Sequence, residues 1–116
     1  MLRPTNNLQV YLYAEAVDMR KSIDGLALLV EQEMNLPPMS SALFVFCNRS
    51  RDKIKLLCWE LNGFIVWYKR LEKQRFQWPT SGLPPTISGQ ELNYLLDGFD
   101  IFNQPPHQTL HFDSVS

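Results

Sequence analysis

Cysteine and histidine are scarce in this chain, with two of each among 116 residues. Cys47 and Cys58 form no CxxC pair, and no Cys/His group has the spacing of a zinc site. They read as reduced, small apolar side chains, with a Cys47–Cys58 disulfide as the lesser alternative. Glycine is sparse too, at five. Neither GxGxxG nor GxxxxGK[ST] occurs, which argues against a glycine-rich nucleotide fold. No GxSxG surrounds Ser22, Ser40, Ser41 or Ser50, so no serine has a nucleophile's context. No apolar run nears the ~20 residues needed to cross a bilayer. The N-terminus, Met-Leu-Arg-Pro-Thr-Asn-Asn, lacks the basic-then-apolar layout of a signal peptide, so a cytoplasmic protein is expected.

Apolar residues are not lacking. They make up 45% of the chain, and aromatics 12%, enough for a folded core. The length suits one domain over 1–100, followed by a tail over 101–116 that carries Pro105-Pro106. The formal net charge is only −1, but it is unevenly spread. Residues 49–75 hold eight of the eleven basic residues and three acids, a net +5. The segments before and after carry −2 and −4. A basic middle between acidic flanks suggests an anionic partner. The plainer reading is a solvated hairpin with ordinary surface lysines.

Gln9–Tyr13 reads as a short strand. Asp18 is placed to cap a helix over about 18–34, whose apolar face is Met19, Ile23, Leu26, Val30 and Met34. Pro37-Pro38 ends that element. Leu43–Cys47 is a β-prone run, and residues 48–52 form a polar loop. Strands then flank Asn62-Gly63, a dipeptide suited to a type I′ hairpin turn. Ser88 and Glu91 make a capping box for a short helix over about 89–97, and Gly98 stops it. These elements specify an α+β fold. A small, mostly antiparallel sheet of three or four strands, with a central meander over 43–71, carries one longer helix and a short C-terminal one.

A turn at Asn62-Gly63 would set Leu61 opposite Phe64, Trp59 opposite Val66, Leu57 opposite Tyr68 and Lys55 opposite Arg70. One face then holds Lys53, Lys55, Leu57 and Trp59 with Val66, Tyr68 and Arg70. The other holds Ile54, Leu56 and Cys58 with Ile65 and Trp67, and Phe44 and Phe46 join it if Cys47 pairs with Lys53. This second face is the better core, and the first helix is expected on it. Lys55 opposite Arg70 is a like-charge pair that needs an anion or carboxylate between them. The basic and aromatic face suits a nucleic-acid strand, by phosphate neutralisation and base stacking. Against this, Trp59 and Tyr68 would be ordinary core if the C-terminal helix covered them.

The carboxylates Asp18, Asp24, Asp52, Glu60, Asp97 and Asp100 lack the spacing of a two-metal phosphoryl-transfer site. His107 and His111 have no third ligand nearby. No metal, cofactor or catalytic residue is therefore expected.

Several blocks are more telling together. They are Asp18-Met-Arg-Lys21 with Ile23-Asp-Gly-Leu26, Phe44-Val-Phe46 with Asn48-Arg49, and Asp52-Lys-Ile-Lys-Leu-Leu57 with Trp59. Gly63-Phe64, Tyr68-Lys-Arg-Leu-Glu72, Arg75-Phe-Gln-Trp-Pro79 and Leu95-Leu-Asp-Gly98 follow. Over roughly 9–100 the chain resembles TnpB, the second-open-reading-frame accessory proteins of the bacterial insertion-sequence family numbered sixty-six. These are distinct from the RNA-guided nucleases of the same name. The chain departs from the family pattern at Ser22, where glycine is common, and at Cys47, where a basic residue is.

The resemblance implies a role in transposition beside a separate, larger transposase, with no catalytic residue to carry over. Asp18, Arg20, Trp78 and Pro79 match family motifs without an assigned role. With the charge pattern, it points to DNA contacts by Arg49, Arg51, Lys53, Lys55, Trp59, Tyr68, Lys69, Arg70, Lys73 and Arg75. The alternative is a module that docks on the transposase, or another element-encoded protein, without touching DNA. The acidic C-terminal third would then meet a basic partner.

Overall fold

A computed structural model describes residues 8–78 and 86–102. Its centre is a five-stranded sheet: β1 (Val10–Leu12), β2 (Leu43–Cys47), β3 (Lys53–Glu60), β4 (Gly63–Arg70) and β5 (Thr86–Ile87), in the order β4-β3-β2-β1-β5. All neighbours are antiparallel except β1 and β2. The helix α1 (Ile23–Gln32) lies in the connection between those two parallel strands, and α2 (Gly89–Leu96) follows β5. The fold is a small α+β domain with five strands rather than three or four, because the short β1 and β5 join the meander. His107, His111, Pro79 and most of the expected tail lie outside the described residues. Ile101 and Phe102, at its start, pack against the core.

The first helix is shorter than its apolar spacing suggests. It begins after Ser22, because Asp18 spends its carboxylate on the Arg20 N–H at 2.9 Å and so stabilises a separate turn. It ends before Asn35, which sits at φ 55°, a conformation that asparagine tolerates. Met19 and Met34 still pack in one cluster with Ile23, Leu26 and Val30. The second helix follows its sequence signals. Ser88 accepts from the Glu91 N–H at 3.0 Å, Glu91 accepts from the Ser88 N–H at 2.9 Å, and Gly98 takes φ 93° beyond the last turn. A Cβ on Gly98 would lie 2.6 Å from Gln74 Oε1.

Two registers differ from expectation. The β3–β4 turn lies at Leu61-Asn62, with Leu61 at φ 54° and Glu60 paired to Gly63. The slip is two residues, so every side chain keeps its face while its partner changes. Lys55 now faces Tyr68, Lys53 faces Arg70, and Trp59 faces Phe64. At the β2–β3 loop the change is one residue: Cys47 pairs with Ile54, not Lys53. Asn48 causes it. Its side-chain oxygen accepts from the N–H groups of Asp52 and Lys53 at 3.1 and 3.0 Å, and its own N–H donates to the Lys53 carbonyl.

That one-residue change turns Phe44 and Phe46 to the opposite face from the one expected. They meet Leu57, Phe64 and Val66 there, and α1 packs on this face instead of the other. The second face holds Val45, Cys47, Ile54 and Leu56, covered by Leu92, Leu95 and Leu96 of α2 and by Phe76 and Trp78. Helices therefore cover both sheet faces. Cys47 and Cys58 are free thiols at opposite ends of the β2–β3 ladder.

Candidate nucleic-acid interface

Helix α1 covers only part of its sheet face. Beyond its first turn the sheet carries Lys53, Tyr68 and Arg70, and residues 16–20 and 48–50 come close to Lys53 and Tyr68. Between them opens a cleft of about 550 Å³, lined by Asp18, Arg20, Asn48, Arg49, Lys53 and Tyr68 among others. Three segments that are distant in sequence thus converge.

Each wall has a local cause. In the first turn, Arg20 donates from Nε to both Asp18 oxygens at 3.1 Å, and from Nη2 to Oδ2 at 2.7 Å. The Arg20 hydrogen bonds, aided by its charge, hold the Asp18 carboxyl down to about 2. Arg20 nevertheless keeps 92% of its side-chain surface exposed. In the loop, Asn48 Nδ2 donates to Asp52 Oδ1 at 2.7 Å, and this bond is the main cause of Asp52's lowered pKa. The loop leaves Arg49 exposed, with no ion pair among the described residues.

Lys55 ties the turn to the sheet. Its ammonium donates to the carbonyls of Met19 at 2.7 Å and Lys21 at 3.0 Å, and lies 5.6 Å from the Tyr68 ring centre. The like-charge neighbours are therefore Lys53 and Arg70, and each has a carboxylate of its own. Lys53 lies 3.2 Å from Asp52, and Arg70 lies 2.8 Å from Glu72.

The sequence-predicted site residues divide by location. Arg49, Lys53 and Tyr68 line the cleft, Arg70 lies beside Lys53 on its sheet face, and Lys55 braces it. Trp59 is away from it toward the hairpin tip, edge-on to the Phe64 ring at 5.0 Å. Arg51 and Lys69 belong to the opposite side of the sheet. The Arg51 guanidinium lies 5.8 Å from the ring centre of the buried Trp78. Burial pushes the Cys47 thiol up, and Arg51 partly offsets this. Lys69 donates to the Leu96 carbonyl at 2.8 Å, where a cation favours the end of α2. Arg75 donates to the Ser50 carbonyl at 3.0 Å, and Lys73 is simply exposed. Asn48 was not among the expected site residues. Its signal was an asparagine opening a polar loop directly after a strand, where such side chains bond nearby backbone.

The family of IS66 Orf2-like proteins, TnpB_IS66, matches residues 8–105. The chain belongs to this family. Membership carries a role accessory to transposition by an insertion sequence, in a family that is not one of known enzymes. Two Sinorhizobium fredii (strain NBRC 101917 / NGR234) proteins are similar to this IS66 Orf2-like protein. Uncharacterized protein y4hO is 37% identical over 86% of this chain and 88% of its own length. Uncharacterized protein y4jC is 28% identical over 86% of each. No solved structure matches the chain. Among the described residues of this IS66 Orf2-like protein, no helix is long and apolar enough to cross a membrane. Among the same residues, no three His, Cys, Asp or Glu side chains are grouped to hold a metal ion.

Proposed function

We propose that this IS66 Orf2-like protein is a non-enzymatic factor that binds DNA through the cleft and helps a separate transposase engage its element. The observation that carries this reading is convergence. Arg20 from the 16–20 turn, Arg49 from the loop and Lys53 at the start of β3 share one open mouth, beside Arg70 of β4. Three carboxylates, Asp18, Asp52 and Glu72, pair with Arg20, Lys53 and Arg70, and among the described residues Arg49 has none. Arg49 remains free to neutralise a phosphate, and an incoming phosphate can share Arg20 and Arg70 with their exposed carboxylate partners.

Fluorescence anisotropy with labelled DNA across a salt series tests the proposal. Four phosphate contacts give a log–log slope of about −3.6. Absence of binding at low salt would remove the DNA role for the isolated protein. A pull-down with the transposase would then test direct docking, the partner expected in that case.

A further inference from the structure

The cleft also has a feature that phosphate binding does not use. Tyr68 stands on its floor with 48% of its surface exposed. The other aromatics of this sheet face are engaged: Trp59 and Phe64 pack edge-to-face, and Tyr11 and Tyr13 pack against Phe44 and Phe46. The Lys55 ammonium near the Tyr68 ring cannot also serve a phosphate readily, because two backbone carbonyls already hold it. A restrained, half-open ring ringed by cations has the makings of a stacking platform.

From this the geometry points to an unpaired DNA segment as the ligand, with one base stacked on Tyr68 and its flanking phosphates on Arg49, Lys53 and Arg20. The inference rests on the DNA-binding reading and narrows it. In a duplex the base faces are hidden between neighbouring pairs, so a duplex offers this cleft phosphates alone. A single strand, or a frayed end, offers both phosphate and an open π-face.

The test uses the full chain, with labelled single-stranded and duplex DNA of one sequence at low salt. Three proteins are compared: wild type, Tyr68→Phe and Tyr68→Leu. The leucine variant keeps bulk on the strand but removes the π-face, and its melting temperature reports whether it folds. The single strand is expected to bind more tightly than the duplex. Tyr68→Leu should weaken single-strand binding by about 5- to 150-fold, the range carried by one stacked base. Duplex binding should change little, and Tyr68→Phe should stay near wild type. Equal binding of both DNAs, unaffected by a folded Tyr68→Leu, would overturn the stacking inference and leave the phosphate reading standing. No binding of either DNA would overturn both.

Discussion

The two faces of the sheet are covered by helices of similar length, yet one is closed and the other is open at an end. Under α2, even the long cations are used internally: Lys69 meets the helix C-terminus and Arg51 lies against Trp78. Under α1, the helix starts only after Ser22, beyond the separate 16–20 turn, so Tyr68 and Arg70 remain exposed. Similar residue types thus have different fates. Lys69 of β4 caps α2, while the next residue, Arg70, faces solvent. The cleft occupies the gap left where the cover of one face stops.

The largest expected effect tests whether the open face is also a true core. Phe46 is fully buried beneath α1, against Tyr13. Phe46→Ala should cost about 3–5 kcal/mol, read from the urea midpoint. A loss below about 1 kcal/mol would show that this face is loosely packed beyond the cleft as well as at it.

Charge reversal separates the faces functionally. Arg49→Glu with Lys53→Glu should weaken DNA binding at least tenfold, or about 1.4 kcal/mol, and make the salt slope shallower by about 1.8. Lys69→Glu should instead lower the melting temperature by disturbing the end of α2, with DNA affinity nearly unchanged. The comparison breaks if Lys69→Glu proves the more damaging to DNA binding while the protein stays folded.

Ser88→Ala removes the side-chain half of the capping box under the closed face. A cost of about 1 kcal/mol is expected, with faster amide exchange in the first turn of α2. Unchanged exchange there would mean that packing alone holds the helix.

The smallest effect concerns the Asp18–Arg20 turn. The Asp18 pKa is depressed from the ordinary 3.8 to about 2, chiefly by the Arg20 hydrogen bonds. Its stabilising contribution is therefore complete above the ordinary value and is lost as pH falls through about 2. Carbon-detected titration should place the midpoint near that value, and Arg20→Ala should raise it toward the ordinary one, the backbone N–H of residue 20 still holding it part of the way down. A wild-type midpoint near 4 would show that the guanidinium is not held.

Much of this was legible in local signals. The capping box, Gly98, the apolar stripe of α1 and the strands of the meander are short-range statements that the chain makes residue by residue. The registers were not. Asn62-Gly63 is the better local turn, but the sheet turns one position earlier and places Leu61 at φ 54°, where its 92%-exposed side chain meets no core. The favourable partners lie elsewhere: Trp59 on Phe64, and Lys55 beneath Tyr68. At the next loop, three Asn48 side-chain hydrogen bonds shifted β2 by one residue and sent Phe44 and Phe46 to the other side.

The candidate site shows the same division. The basic residues and Tyr68 were visible as types in the 49–75 segment, as was a shared face for Lys53, Tyr68 and Arg70, because alternation depends only on parity. The role of each cation was not visible. A lysine bonded to carbonyls, one at a helix end and one at an open mouth share the same formal charge. What distinguishes them is which backbone groups lie within reach, and that follows from long-range packing of α1, α2 and the 16–20 turn around the sheet.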